Sequence, residues 1–211
     1  MQRALTAENV LSAKFRGLPF EGEWERVFGN PERRHSWIIW GQSGSGKTTF
    51  NMQLAKHISQ SEPVLYNSME EGLSVSIQRA YHRAGITSRD RVHMVSENMS
   101  DLARRLARKK SPSVVFIDSI KYTRFRWLDY EKFKARFPQK LLIWVGHANG
   151  KEPKGSLAED IRYDAFIKIY TEGFRAFVTS RFSNVGEGYM DIWTEGAEKF
   201  YGEINDKNQS S

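Results

Sequence analysis

The chain has 211 residues, a net charge of +7, 39% hydrophobic residues and no cysteine. That length carries one sizeable α/β core rather than two, and the missing thiols exclude disulfides and thiolate zinc sites. No apolar run of about eighteen residues exists to span a membrane, and polar residues follow Met1–Leu5 where a secretory signal would be apolar, so a cytoplasmic protein with no membrane contact is expected.

In chain order, residues 1–35 come first, with an apolar stripe of Leu5, Val10, Leu11 and Phe15 followed by Leu18, Pro19 and Phe20. This segment is expected to cap its own sheet or to reach onto a neighbouring copy. Residues 36–40, SWIIW, read as a buried strand, and Phe50, Leu54 and Ile58 recur at helical spacing beyond it. Between strand and helix lies GQSGSGKTTF, residues 41–50, with Gly41 and Gly46 at the spacing of a phosphate-binding loop.

Glycines there let consecutive N–H groups curl around phosphate oxygens. Gly41, Gln42, Ser43, Gly44, Ser45, Gly46, Lys47, Thr48 and Thr49 are the candidate cradle of a nucleoside triphosphate. Lys47 supplies a point charge for the β- and γ-phosphates, and the Thr48 hydroxyl a ligand for Mg²⁺. The five histidines show no metal-ligand spacing, so any metal should arrive with the nucleotide.

Strands and helices then alternate. Residues 63–68 read as a strand, and Leu73, Ile77, Ala80, Tyr81 and Ala84 as one face of a helix stopped by Gly85. Residues 91–95 read as a strand, Leu102, Ala103 and Leu106 as a helix, and residues 114–117 as a buried strand. Trp127, Tyr130, Phe133 and Phe137 mark a helix closed by Pro138, before a buried strand over 141–145. Such alternation calls for a mostly parallel sheet flanked by helices. Residues 166–170, 174–182 and 188–193 read as antiparallel hairpin strands, with turns at 171–173 and 184–187. A core over 36–203 and a flexible polar tail over 204–211 complete the expected organisation.

Asp118 ends the strand over 114–117, where open α/β sheets place their ligand crevice, and is the candidate to orient Mg²⁺ opposite Thr48; a solvated strand end or a helix cap is the plainer alternative. Glu70 and Glu71 follow the strand over 63–68. A carboxylate is needed to orient attacking water, while acids in a first helical turn also cap it, and the capping role suits Glu71.

The set GQSGSGKTT, YNSMEEG with a helix ending in QRAYHRAGI, VVFIDS, VGHANGKEPKG and FRAFVTSRFS resembles, in order and spacing, the RecA/RadA/DnaB group of ATPases over residues 36–195. The resemblance implies a RecA-like α/β fold with C-terminal antiparallel strands, Mg²⁺-dependent ATP hydrolysis with Glu70 as the hydrolytic carboxylate, and His147 as the polar residue that senses the γ-phosphate. It also implies a homo-oligomer, ring or filament, with ATP at subunit interfaces and a basic residue from the neighbour. Arg181 is retained for that role, whereas Thr179 stands where RadA-like proteins carry lysine, which puts the finger in doubt and leaves Arg181 or Arg175 to act alone.

Two basic segments fall where such proteins hold single-stranded DNA. Lys121, Arg124 and Arg126 are interleaved with Tyr122, Phe125 and Trp127, and Lys151 and Lys154 lie in a flexible connection over 149–155. The aromatics of the first segment also suit an amphipathic helix start. Arg104, Arg105, Arg108, Lys109 and Lys110 read as a solvated helix face. Recombination, repair or replication on single-stranded DNA is the first functional reading, by annealing or as a ring motor. A nucleotide-gated regulatory or scaffold oligomer that binds protein is the second.

Overall fold

The computed structural model describes residues 3–182 and 187–209. Its elements are α1 (Ala7–Leu11), α2 (Gly22–Phe28), β1 (His35–Gly41), α3 (Lys47–Ser59), β2 (Val64–Ser68), α4 (Val75–Ala84), β3 (Val92–Val95), α5 (Met99–Leu106) and β4 (Val114–Asp118). They continue as α6 (Ile120–Thr123), α7 (Trp127–Arg136), β5 (Leu141–Asn149), β6 (Glu152–Pro153), α8 (Ser156–Asp164), β7 (Ile167–Glu172), β8 (Arg175–Ser180), β9 (Glu187–Asp191) and α9 (Thr194–Gln209).

The main sheet runs in the order β3-β2-β4-β5-β1-β7-β8-β9. Strands from β3 to β7 pair in parallel, and β8 and β9 extend the β7 edge antiparallel. Alternate residues of each central strand enter opposite cores, because side chains alternate across the pleat. Trp37, Ile39, Tyr66 and Phe116 pack with Phe50, Leu54 and Ile77 on one face, while Ile38, Val115 and Trp144 pack with Leu102, Tyr130 and Ile161 on the other.

Several local expectations are corrected. Residues 149–155 are no flexible connection: Ala148 and Asn149 of β5 pair with Pro153 and Glu152 of β6, and the indole of Trp40 donates to the Lys151 carbonyl at 2.9 Å. Leu73 lies before the Ser74 N-cap of α4 and is exposed, so the apolar face begins at Ile77. Gly85 does end that helix, in the left-handed conformation that glycine adopts without strain.

The hairpin turn after β7 falls at Gly173 and Phe174, since Thr171 and Glu172 are still paired. The second expected turn, over 184–187, lies mostly outside the described residues. Backbone helix in α9 continues to Gln209, where a flexible tail was expected. No helix among the described residues is long and apolar enough to cross a membrane.

The N-terminal segment divides. Leu18 and Phe20 are buried against Val27 and Phe28 of α2 and so cap the chain's own sheet. Leu5, Val10, Leu11 and Phe15 are exposed, and α1 buries none of its residues although Thr6 and Asn9 close a capping box at its start.

Candidate nucleotide site and a second cleft

The carboxyl ends of β1, β2, β4 and β5 converge, and each delivers one piece of the site. β1 ends in Gly41 because a Cβ there would lie 2.0 Å from the Thr171 hydroxyl. The loop then turns through Gly44 and Gly46, both with positive φ, into the first turn of α3. Ser45 is buried and shares a 2.8 Å hydrogen bond with Thr171, which locks the loop onto β7. Gly41 and Ser45 thus shape the cradle, while Gln42, Ser43, Gly44, Gly46, Lys47, Thr48 and Thr49 line a cleft of about 490 Å³.

Glu70, Glu71, Asp118 and His147 line the same cleft. Asp118 is partly buried at the end of β4, and desolvation pushes its carboxyl above the ordinary aspartate range against the pull of a Tyr66 hydrogen bond and the Lys47 charge. Glu70 Oε2 accepts from Ser119 Oγ at 2.8 Å and lies 3.1 Å from His147 Nε2. Glu71 instead accepts from Ser74 Oγ at 3.0 Å, the residue that caps α4.

The donor set fits Mg²⁺ with a triphosphate. Hydroxyl and carboxylate oxygens suit a hard cation, and among the described residues no cluster of three or more His, Asp or Glu side chains exists to hold a metal alone. Thr48 and Asp118 would therefore share the ion with phosphate oxygens and water.

Sequence reasoning missed five further lining residues, Ser76 of α4 among them. Arg83, on α4, donates to the Thr49 hydroxyl at 3.2 Å. Phe174, Ile192 and Trp193 give the cleft an apolar wall from the antiparallel edge, with Trp193 half exposed and edge-on to Phe174 at 5.1 Å. Their signal was absent because they follow the phosphate loop by more than a hundred residues and reach it only through the β7-to-β9 pairing.

A second cleft of about 570 Å³ adjoins the first. Glu70 and His147 line both, so this pair forms the wall between them. The far side brings together Lys121, Arg124 and Phe125 from the segment after β4 with Lys154, Gly155 and Ser156 from the segment after β5. The two basic segments singled out in the sequence therefore meet in one groove.

Not every candidate joins it. Arg126 is the N-cap of α7, its N–H donating to Asp129 at 2.9 Å, and Lys151 sits at the β5–β6 turn; neither lines the cleft. Arg181 is exposed just past β8, stacked on Phe166 at 4.6 Å, and does not line its own chain's nucleotide cleft. Arg175 is held by Asp191 at 2.6 Å between the rings of Tyr189 and Tyr201.

A glycine loop between the first strand and its helix, acids at the neighbouring strand ends and a parallel sheet with an antiparallel edge define the fold of the RecA-like P-loop ATPases. In sequence the chain is 34% identical over 99 residues to the DNA repair protein RadA of Escherichia coli (strain K12), a match over 46% of this chain and 21% of RadA. The chain thus spans about a fifth of the length of that curated relative.

Similar solved structures include the flagellar accessory protein FlaH from Methanocaldococcus jannaschii, at 15% identity and a TM-score of 0.57 over 84% of this chain and 95% of that one. A KaiC-like protein from Pyrococcus horikoshii OT3 matches at 17% identity and a TM-score of 0.53, over 84% and 92%. A further solved ATPase domain matches at 16% and 0.58, over 83% and 87%. No protein-family model matches the chain.

Proposed function

We propose that this chain is a cytoplasmic, Mg²⁺-dependent ATPase that couples nucleotide turnover to its grip on single-stranded DNA, in recombination, repair or replication. The observation that carries the reading is the shared wall: Glu70 and His147 face the phosphate cradle on one side and a basic groove on the other. The cradle binds the triphosphate through its backbone N–H groups and Lys47, and Arg83 and Trp193 border the rest of the nucleotide. When bound, Mg²⁺ neutralises charge on the phosphates and orients them. Glu70 accepts the proton of the attacking water, and His147 reports the terminal phosphate to the groove.

Lys121, Arg124 and Lys154 suit backbone phosphates, and Phe125 gives the groove an aromatic floor. Copies assemble as a ring or filament with ATP at their boundaries. Arg181, out of reach of its own cleft, acts on the neighbour's, and Thr179 in place of lysine makes turnover slow. RadA is named a DNA repair protein, which favours DNA as the partner.

The test is oligo(dT) anisotropy across a salt series with the double variant Arg124→Ala/Lys154→Ala. Binding should weaken about tenfold or more, and the slope of log affinity against log salt should fall by about 0.7 for each DNA phosphate no longer neutralised. Unchanged binding in the variant would remove the groove from the account. Wild-type protein that binds no oligo(dT) would favour the second reading, a nucleotide-gated oligomer that binds protein, for which the uncovered Leu5, Val10, Leu11 and Phe15 stripe is the specific support.

A further inference from the structure

Tyr66 and Asn51 place polar atoms where the fold does not need them. Both are fully buried, and Tyr66 lies in the core formed with Phe50, Leu54 and Phe116. A phenylalanine and a leucine would fill similar space without burying polar groups, which costs free energy unless each is hydrogen-bonded. The Asn51 side-chain carbonyl has no partner among the described residues.

The register explains where the phenol goes. Tyr66 of β2 pairs with Phe116 of β4, so Asp118, two residues on, shares its face of the sheet. The Tyr66 hydroxyl reaches along that face and donates to Asp118 Oδ2. It accepts in turn from Asn51 Nδ2 at 3.2 Å. Asn51 stands one helical turn beyond Lys47 in α3. A line of three side chains therefore joins the phosphate-loop helix to the carboxylate at the end of β4.

We infer that Tyr66, held by Asn51, is a positioning residue for the divalent cation of the nucleotide site. This rests on the reading of the first cleft as an Mg·ATP site. A carboxylate at a strand end turns about its Cα–Cβ and Cβ–Cγ bonds. By occupying Oδ2 the phenol stops that rotation and leaves Oδ1 as the oxygen available to the cation and its water. The same contact fixes the spacing between Asp118 and Thr48, because Asn51 and Thr48 belong to one rigid helix. Tyr66 acts through Asp118 and touches neither nucleotide nor metal.

Binding of a fluorescent ATP analogue to the full chain is titrated with Mg²⁺, and separately measured in excess chelator. In Tyr66→Phe the Mg²⁺ concentration for half-maximal effect should rise about ten- to a hundredfold, the usual cost of losing an outer-shell partner, while metal-free binding stays within about twofold. Asn51→Leu should shift Mg²⁺ dependence in the same direction by less, and serves alone should Tyr66→Phe misfold. Tyr66→Phe with wild-type Mg²⁺ dependence would overturn the inference, as would equal loss of binding with and without Mg²⁺, which marks a purely structural role. Wild-type protein that binds no nucleotide under either condition would overturn the Mg·ATP reading itself, an outcome separate from either result in the variants.

Discussion

Lys47→Ala is expected to abolish measurable ATP turnover. Lys47 opens α3 and lines the cleft beside Thr48, and among the described residues it is the one lysine there. In the proposed ATP complex its ammonium would make charge-assisted hydrogen bonds to phosphate, each contributing about 1.5–3 kcal/mol, so nucleotide affinity should fall about ten- to a hundredfold. Hydrolysis should fall further, by about a thousandfold, because charge on the phosphoryl oxygens must be stabilised in the transition state. The fold should survive, since the side chain lies in an open cleft rather than in either core. Calorimetric titration with ATP and a phosphate-release assay check both parts; a variant that keeps wild-type turnover would move catalysis away from this loop.

Glu70→Gln separates binding from chemistry. The carboxylate lies between Ser119 and His147, in the wall between the two clefts and outside the glycine loop proposed to hold the phosphates. Glutamine keeps an oxygen for Ser119 Oγ but cannot take a proton from water. ATP affinity should therefore stay within about threefold while hydrolysis drops by about 10²–10⁴, the usual contribution of a positioned general base. Glu71→Gln should leave the rate nearly unchanged, because Glu71 is engaged with the cap of α4. The reverse ranking in single-turnover assays would exchange their roles.

Much of this site was legible in the sequence because its parts are local. A glycine loop between an apolar strand and a helix is a contiguous pattern, and Asp118 and Glu70 each sit at the end of an apolar run, where the chain must leave the sheet. Other features were hidden for physical reasons. The helix α2 spans only Gly22–Phe28 and buries just Val27 and Phe28, too little for a periodic signal. The helix α8 alternates charges with Ala158 and Ile161 directly after Gly155, so no element was read there. The same Gly and Lys composition made 149–155 look mobile, although pairing with β5 and the Trp40 indole order it.

Convergence is the least local property. Nothing in spacing alone says that Lys121, Arg124 and Lys154 share a groove while Arg126 and Lys151 do not; that follows from the parallel pairing of β4 with β5, which sets the two segments side by side. Tyr66 was equally silent. A tyrosine in an apolar strand looks like core until the β2–β4 register puts its hydroxyl on Asp118.

The most direct test of the coupling is phosphate release from ATP and Mg²⁺ with and without saturating oligo(dT), in wild type and in His147→Ala. Because His147 and Glu70 form the wall between the clefts, the strand should raise the wild-type rate several-fold, and His147→Ala should bind oligo(dT) yet lose that stimulation. A wild-type rate indifferent to the strand, or a His147→Ala protein stimulated as strongly as wild type, would contradict the proposal that the two clefts work through their common wall.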